Sequence, residues 1–348
     1  MGEKIKKSNW RLILTVITLI AIVILIVALH KEILTTLKDL KKINIFILSL
    51  LIPIEFINYH AQARLYETSF HTLGQRLKYW FLFRFSLELN FISTIFPSGG
   101  ISGFSYITLR LKPEGVSTPQ ATLVQLLKTV LLYSSFLLIL IAGLITLAIS
   151  GRANGFLILV SSSLITLLVV ISLGAFYVIG SKSRINHVFT QITKFLNRII
   201  KIFRPKHSET INIKRVEQNF TELHESYLLF RHNFTALKWP FIWGLVANIS
   251  EVGAVYLVYV AFGHWVNPGA VIIAYAVASF AGLLSILPGG IGVYETLMIT
   301  VLAAAGIPAS LSIPVTIMYR IVNTLIQIIP GYIYYQKALT PESNNNNG

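Results

Sequence analysis

Six apolar runs, each close to the length needed to cross a bilayer, leave this chain few folds to choose from. They are Leu12–Leu29, Ile43–His60, Ala121–Ile149, Phe156–Ile179, Trp239–Phe262 and Leu311–Tyr335. A helix rising 1.5 Å per residue crosses a ~30 Å hydrocarbon core in ~20 residues. Inside lipid every backbone N–H and C=O must be satisfied within the protein, so such runs form helices or closed barrels. Continuous apolar runs lack the alternation of barrel strands. The expectation is an all-α, polytopic integral membrane protein. Composition agrees: 12% of the 348 residues are charged, against roughly a quarter in soluble domains.

The first run follows Lys4, Lys6, Lys7 and Arg11, as a signal peptide would, but exceeds the ~7–15 residues of a signal core and reads as a retained span. Residues 1–338 are expected to form one integral membrane domain. Residues 339–348, ending in an asparagine run, read as a disordered tail.

Basic residues outnumber acidic ones by 29 to 14. In a soluble protein that excess would suggest nucleic acid. Here it gathers in loops between apolar runs, which excludes that reading in favour of positive-inside topology and anionic headgroups. Residues 181–238 hold 11 Lys/Arg against 4 Glu, so this linker is placed in the cytoplasm, as are both termini. Within it Ile185, Val188, Phe189, Ile192, Phe195, Leu196, Ile199 and Phe203 recur at helical spacing. This predicts an amphipathic helix, lying in the headgroup layer or packed on the protein's own cytoplasmic face. Lys31, Lys38, Lys41 and Lys42 fall on the outer side of this topology and run against the rule.

Two interruptions divide the remaining apolar sequence. Tyr79–Phe96 ends at Pro97-Ser98-Gly99-Gly100, and Ile101–Leu111 is too short to cross. Gly269–Leu287 ends at Pro288-Gly289-Gly290, with Gly292 just beyond, and Ile291–Ala305 turns back. Proline removes a backbone donor and glycine loosens the chain. Broken helix at membrane depth is tolerated only in protein or beside a wet cavity. The breakers lie 190–191 residues apart, and Gly115-Val116-Ser117 matches Gly306-Ile307-Pro308 at the same offset. Three spans separate them, and an odd number inverts the second unit. The pattern predicts six full spans and two re-entrant hairpins, in inverted halves of about 43–150 and 239–336. Such repeats, with interrupted helices meeting near the midplane, recur in secondary transporters.

Ionisable residues at membrane depth cost ~2.5–3.5 kcal/mol or more and usually face protein or water. Glu55, Arg84, Glu88, Lys128, Glu251, Glu295 and Arg320 lie in or at the rim of apolar segments. Arg84 and Glu88, four apart, are expected to pair on one helix face. Arg320, Asn323 and Gln327 form one stripe, and Asn248 with Glu251 another. Arg84, Lys128 and Arg320 could hold phosphate through charge-assisted bonds, with Asn90 and Asn323 beside them. The same charges could equally be internal salt bridges, Arg320–Glu295 among them. No catalytic constellation is visible. The eight histidines are scattered without metal spacing and cysteine is absent. The glycine pairs lack the lysine and strand of nucleotide folds. No cofactor or metal is expected.

At Pro288, Gly289, Gly290, Gly292, Glu295, Gly306, Arg320 and Gly331 the chain resembles the lysylphosphatidylglycerol synthase transmembrane family, the flippase region of the multiple peptide resistance factor. Asn90, Pro97, Gly99, Gly100, Gly103 and Gly115 extend the likeness to the first half. Ser105 and Tyr106 depart from it, standing where the family often has an acidic residue and an arginine. Lys128-Thr129 replaces a charged pair. The resemblance implies a cell-membrane translocase for phospholipid, with aminoacylated phosphatidylglycerol as one candidate. The same scaffold could carry isoprenoid-linked sugar or phosphate. A lysyltransferase or a subunit of one is a third reading; the soluble aminoacyl-transferase domain of bifunctional members is not recognised in these 348 residues. A scaffold binding protein partners through 181–238 is the fourth. Substrate-binding roles fall in the first instance on Arg84, Glu88, Asn90, Lys128, Glu251, Glu295, Arg320 and Asn323. Membrane phospholipids are the expected partners, and association into homo-oligomers is compatible with the sequence.

Overall fold

The computed structural model describes residues 43–95, 101–184, 187, 190–191, 226–230, 233–284 and 290–339. All regular structure within them is helical: α1 (Ile45–Ser49), α2 (Leu51–Thr72), α3 (Tyr79–Ile95), α4 (Ile101–Leu111), α5 (Thr118–Ile149), α6 (Gly155–Ile179), α7 (Lys238–Ala261), α8 (Pro268–Leu284), α9 (Val293–Ala304) and α10 (Ala309–Leu339). Five stretches are long and apolar enough to cross a membrane: Ile45–Thr72, Thr118–Ile149, Gly155–Val178, Phe234–Ala261 and Ala309–Leu339. The expected first span at 12–29, the breaker residues Pro97, Gly99, Gly100, Pro288 and Gly289, the amphipathic stretch from Ile192 to Phe203, and the tail beyond Leu339 lie outside the described residues.

Local chemistry fixes the helix ends. Asn44 starts α1 by accepting from the N–H groups of Phe46 and Ile47, which satisfies two otherwise orphaned donors. Pro53 cannot donate to the carbonyl of Ser49, and the helix steps at Leu50 between α1 and α2. Ser117 and Gln120 form a reciprocal capping box at the start of α5. Asn154 caps α6 through the N–H of Leu157. The helix begun at the second span runs on to Thr72. Arg64 is therefore helical and pairs with Glu67 at 2.6 Å.

The two halves repeat element for element. Span, hairpin arm, short arm and span measure 28, 17, 11 and 32 residues in the first half, and 28, 17, 12 and 31 in the second. The glycines that end matching helices also agree. Gly74 and Gly263, and then Gly115 and Gly306, all have φ between +77° and +80°. Each sits in the same two-bond arrangement, as in Gln75 N–H to Phe70 O and His264 N–H to Tyr259 O. This left-handed termination closes orphan carbonyls and strongly favours glycine.

Contacts show the inversion. Asn44 touches Ala261, Asn58 touches Glu251 and His60 touches Trp243, so α2 and α7 run antiparallel. The last span of each half packs on the first hairpin arm of the other: α5 on α8, and α10 on α3. Glycines allow both junctions to close. A Cβ on Gly143 would meet Ile272 at 2.7 Å, and one on Gly331 would meet Phe91 at 2.6 Å and the carbonyl of Leu87 at 2.8 Å. At 1.5 Å per residue, α4 and α9 cannot cross a ~30 Å core. Each packs on its partner arm to form the hairpins α3–α4 and α8–α9.

Candidate functional site

Three polar clusters interrupt the apolar interior, and each is assembled across helices. The largest lies between α2, α5, α7, α8 and α10. Lys128 Nζ donates to Gln62 Oε1 at 2.9 Å and lies 4.7 Å from the centre of the Tyr66 ring. Gln62 Nε2 donates to Asn58 Oδ1 at 3.0 Å, and Asn58 Nδ2 donates to Glu251 Oε1. Tyr275 and Tyr319 both donate to Glu251 Oε2 at 3.3 Å, and Asn323 Nδ2 donates to Tyr319 Oη at 3.1 Å. A continuous line of hydrogen bonds thus joins Lys128 on α5 to Asn323 on α10. Glu55 lies one helical turn before Asn58 and is 1% exposed.

The second cluster clasps the first hairpin. Glu88 Oε2 accepts from Tyr106 Oη at 2.6 Å and from Arg110 Nε at 3.0 Å. The Arg110 guanidinium also covers the Phe81 ring at 4.6 Å. The expected Arg84–Glu88 pair is therefore corrected. Glu88 turns inward to the short arm α4, while Arg84 is exposed and lies 5.5 Å from the Tyr334 ring centre. Four-residue spacing gives a shared face only when both side chains point along it. Here a buried partner on α4 takes the carboxylate.

The third cluster ties the second hairpin to the last span. Arg320 Nε lies 3.1 Å from Glu295 Oε1. Glu295 Oε2 accepts the N–H of Gly292 at 2.6 Å, tying the carboxylate to the turn that opens α9. Gly290 and Gly292 have φ of +68° and +84° there, which makes the turn possible. Gly290 also packs so closely on Gly282 that a Cβ would meet its Cα at 2.7 Å. The Arg320 guanidinium lies 4.5 Å from the Tyr294 ring centre. The Glu295 carboxylate is 17% exposed against 2% for Glu88, whereas the arginines are alike, Arg320 at 18% and Arg110 at 23%.

Of the residues singled out in the sequence, Lys128, Glu251 and Asn323 meet in the central line, Glu295 and Arg320 in the third cluster, and Glu88 in the second. Arg84 joins none of these clusters, and Asn90 is half-buried on α3. The expected Asn248–Glu251 stripe divides: Asn248 turns to α5, donating to Leu132 O and Ser135 Oγ, whereas Glu251 faces the centre. Sequence reasoning missed Asn58, Gln62, Tyr275 and Tyr319, and Arg110 on the short arm. Their signal was weak because uncharged amides and tyrosines cost little enough in a span to pass as incidental.

No group of three or more His, Cys, Asp or Glu able to hold a metal exists among the described residues. Five helices of membrane-crossing length with two shorter helical hairpins packed among them define a polytopic membrane protein. The chain belongs to the family described as the lysylphosphatidylglycerol synthase TM region, whose model matches residues 12–331. It is also similar to curated UPF0104 membrane proteins. One, of Methanothermobacter thermautotrophicus, is 30% identical over 145 residues, 39% of this chain and 43% of that protein. Another, of Methanocaldococcus jannaschii, is 26% identical over 161 residues, 45% of each. The chain thus spans less than half the length of the curated relatives it matches.

Proposed function

We propose that this membrane protein translocates a lipid with an anionic headgroup between leaflets, along a path between its two inverted hairpins. The carrying observation is the Arg320–Glu295 pair, partly exposed at the start of a short helix that cannot span. Arginine presents several donors to phosphate oxygens, and nearby N–H groups at a broken helix start add to that attraction. In this reading a phosphate displaces Glu295 from Arg320, and the released carboxylate can meet a cationic headgroup such as an aminoacyl amine. Lys128 would serve phosphate deeper in the bundle. The basic linker 181–238 would hold anionic headgroups at the cytoplasmic surface.

The family supports a lipid-related membrane role, and the choice of lipid is the finer proposal. Vesicles containing the purified chain and a headgroup-labelled lipid test it. Phosphatidylglycerol, lysyl-phosphatidylglycerol and an isoprenyl phosphate are offered in turn, with a neutral-headgroup lipid as control. Flux of an anionic or aminoacylated lipid above protein-free vesicles is the expected result. Equal flux of all four, or none, would remove the headgroup reading. Isoprenyl phosphate alone would move the assignment to a polyprenyl carrier. Lysyl-lipid formed from charged tRNA by this chain would make it an enzyme.

A further inference from the structure

A buried carboxylate on α2, Glu55, and a half-buried one on α7, Glu251, lie on either side of Asn58, and the lipid path has no use for the first. Glu55 is 1% exposed, and neither of its oxygens has a hydrogen-bond partner among the described residues. Glu251, on the adjoining helix, is close enough to act on it electrostatically, and both flank Asn58. The described ion pairs are Arg64–Glu67, Arg110–Glu88 and Arg320–Glu295, so no cationic side chain pairs with either carboxylate there.

A second observation points into the same space. Tyr59, one turn from Glu55 and 3% exposed, feels the charge of both carboxylates, yet its hydroxyl makes no hydrogen bond among the described residues. Asn90 lies alongside it. The remaining groups that face the carboxylates are tyrosines: Tyr275 of α8 and Tyr319 of α10, with Tyr294 of α9 behind them. Lys128 is two amides away, through Gln62 and Asn58. Two adjacent charges of one sign cannot both persist in such a place without a compensating cation, because burial of an unpaired ion costs several kcal/mol.

We propose that Glu55, with Glu251, Asn58 and Tyr59, binds a monovalent cation, either a proton or Na⁺. All the groups offered are oxygens: two carboxylates, an amide and phenols, as a hard cation or a proton requires. The site stands on this geometry; its use as the coupling ion for lipid movement rests on the translocase reading. Glu251 links the two functions, since its other oxygen takes Tyr319, which in turn holds Asn323 one turn from Arg320. Occupancy of the cation site would thereby reach the last span.

The test uses the full chain in detergent and reads thermal unfolding, which needs no lipid transport. Na⁺ is varied against choline at constant ionic strength in one arm, and pH from 5 to 8 at constant Na⁺ in the other. A ligand bound only by the folded state stabilises in proportion to the logarithm of its concentration above Kd. With Na⁺ as occupant, Tm rises by roughly 2–4 °C per ten-fold increase, and Glu55→Gln abolishes the rise. With a proton as occupant, the folded chain holds a proton that the unfolded chain releases near neutrality. Stability then falls as pH rises, and Glu55→Gln flattens the slope. Glu251→Gln is the second variant should the first not fold. Wild-type unfolding that ignores both Na⁺ and pH overturns the proposal, as does a dependence unchanged in the variants. Lipid flux without cation dependence of Tm refutes this site alone. Cation dependence without flux refutes only the translocase.

Discussion

The two halves of the chain share a scaffold and differ in the chemistry placed on it. Helix lengths match within one residue, and the left-handed glycines Gly74/Gly263 and Gly115/Gly306 close corresponding helices in the same way. The ion pairs do not match. In the first half Glu88 and Arg110 join the two arms of one hairpin to each other. In the second, Glu295 and Arg320 join a hairpin arm to the following span. The two arginines are similarly exposed, Arg110 at 23% and Arg320 at 18%; the pairs differ in the carboxylate, buried at 2% for Glu88 and partly exposed at 17% for Glu295. Symmetry supplies the inverted frame, and the ion pairs are where the halves depart from it.

The comparison can be broken hardest at the glycine junctions that hold the halves together. Gly331→Ala brings a Cβ against Phe91 and the backbone of Leu87, and Gly269→Ala brings one against the carbonyl of Gly143. Backbone cannot yield as a side-chain tip does, so each should cost about 3 kcal/mol and lower the folded yield in size-exclusion chromatography. Gly253→Ala, with nothing within 4 Å, serves as the harmless control.

The two ion pairs should separate next. Arg110→Ala leaves Glu88 at 2% exposure with only the Tyr106 hydroxyl to hold its charge, a loss of about 2–3 kcal/mol that thermal unfolding would register. Arg320→Ala leaves Glu295 at 17% exposure, still bonded to the Gly292 N–H. Its stability cost should be only roughly 1–2 kcal/mol, with the main loss in lipid flux. Equal destabilisation by the two would erase the distinction between the buried and the partly exposed carboxylate.

The smallest effect tests the symmetry itself. Gly74→Ala and Gly263→Ala meet no neighbour within 4 Å, so each pays for left-handed backbone alone. About 1 kcal/mol apiece is expected. Unequal values beyond measurement error would show that matched geometry hides unmatched strain.

The frame was largely legible in the sequence because it depends on local rules. Apolar length located the five described spans, and the 190–191 residue offset announced the repeat. Gly115 and Gly306 were matched in sequence before their φ values agreed. The site was legible only where its partners were conspicuous, as with Glu295 and Arg320. Arg84 and Glu88 misled because helical spacing says which residues share a face, whereas a competing partner on another helix decides where the carboxylate turns. Asn58 and Glu251 are 193 residues apart. Their meeting depends on the antiparallel register of α2 and α7, which no short-range pattern encodes.

Headgroup flux is the most direct measure of the central claim that a partly exposed Arg320–Glu295 pair handles a lipid between the hairpins. Wild type and Arg320→Ala would be reconstituted at matched folded amounts, and transfer of labelled phosphatidylglycerol between leaflets followed. Losing the ~1.5–3 kcal/mol that a hydrogen bond to a charged group contributes should slow transfer about 10- to 100-fold. Transfer at the wild-type rate in Arg320→Ala would contradict the account.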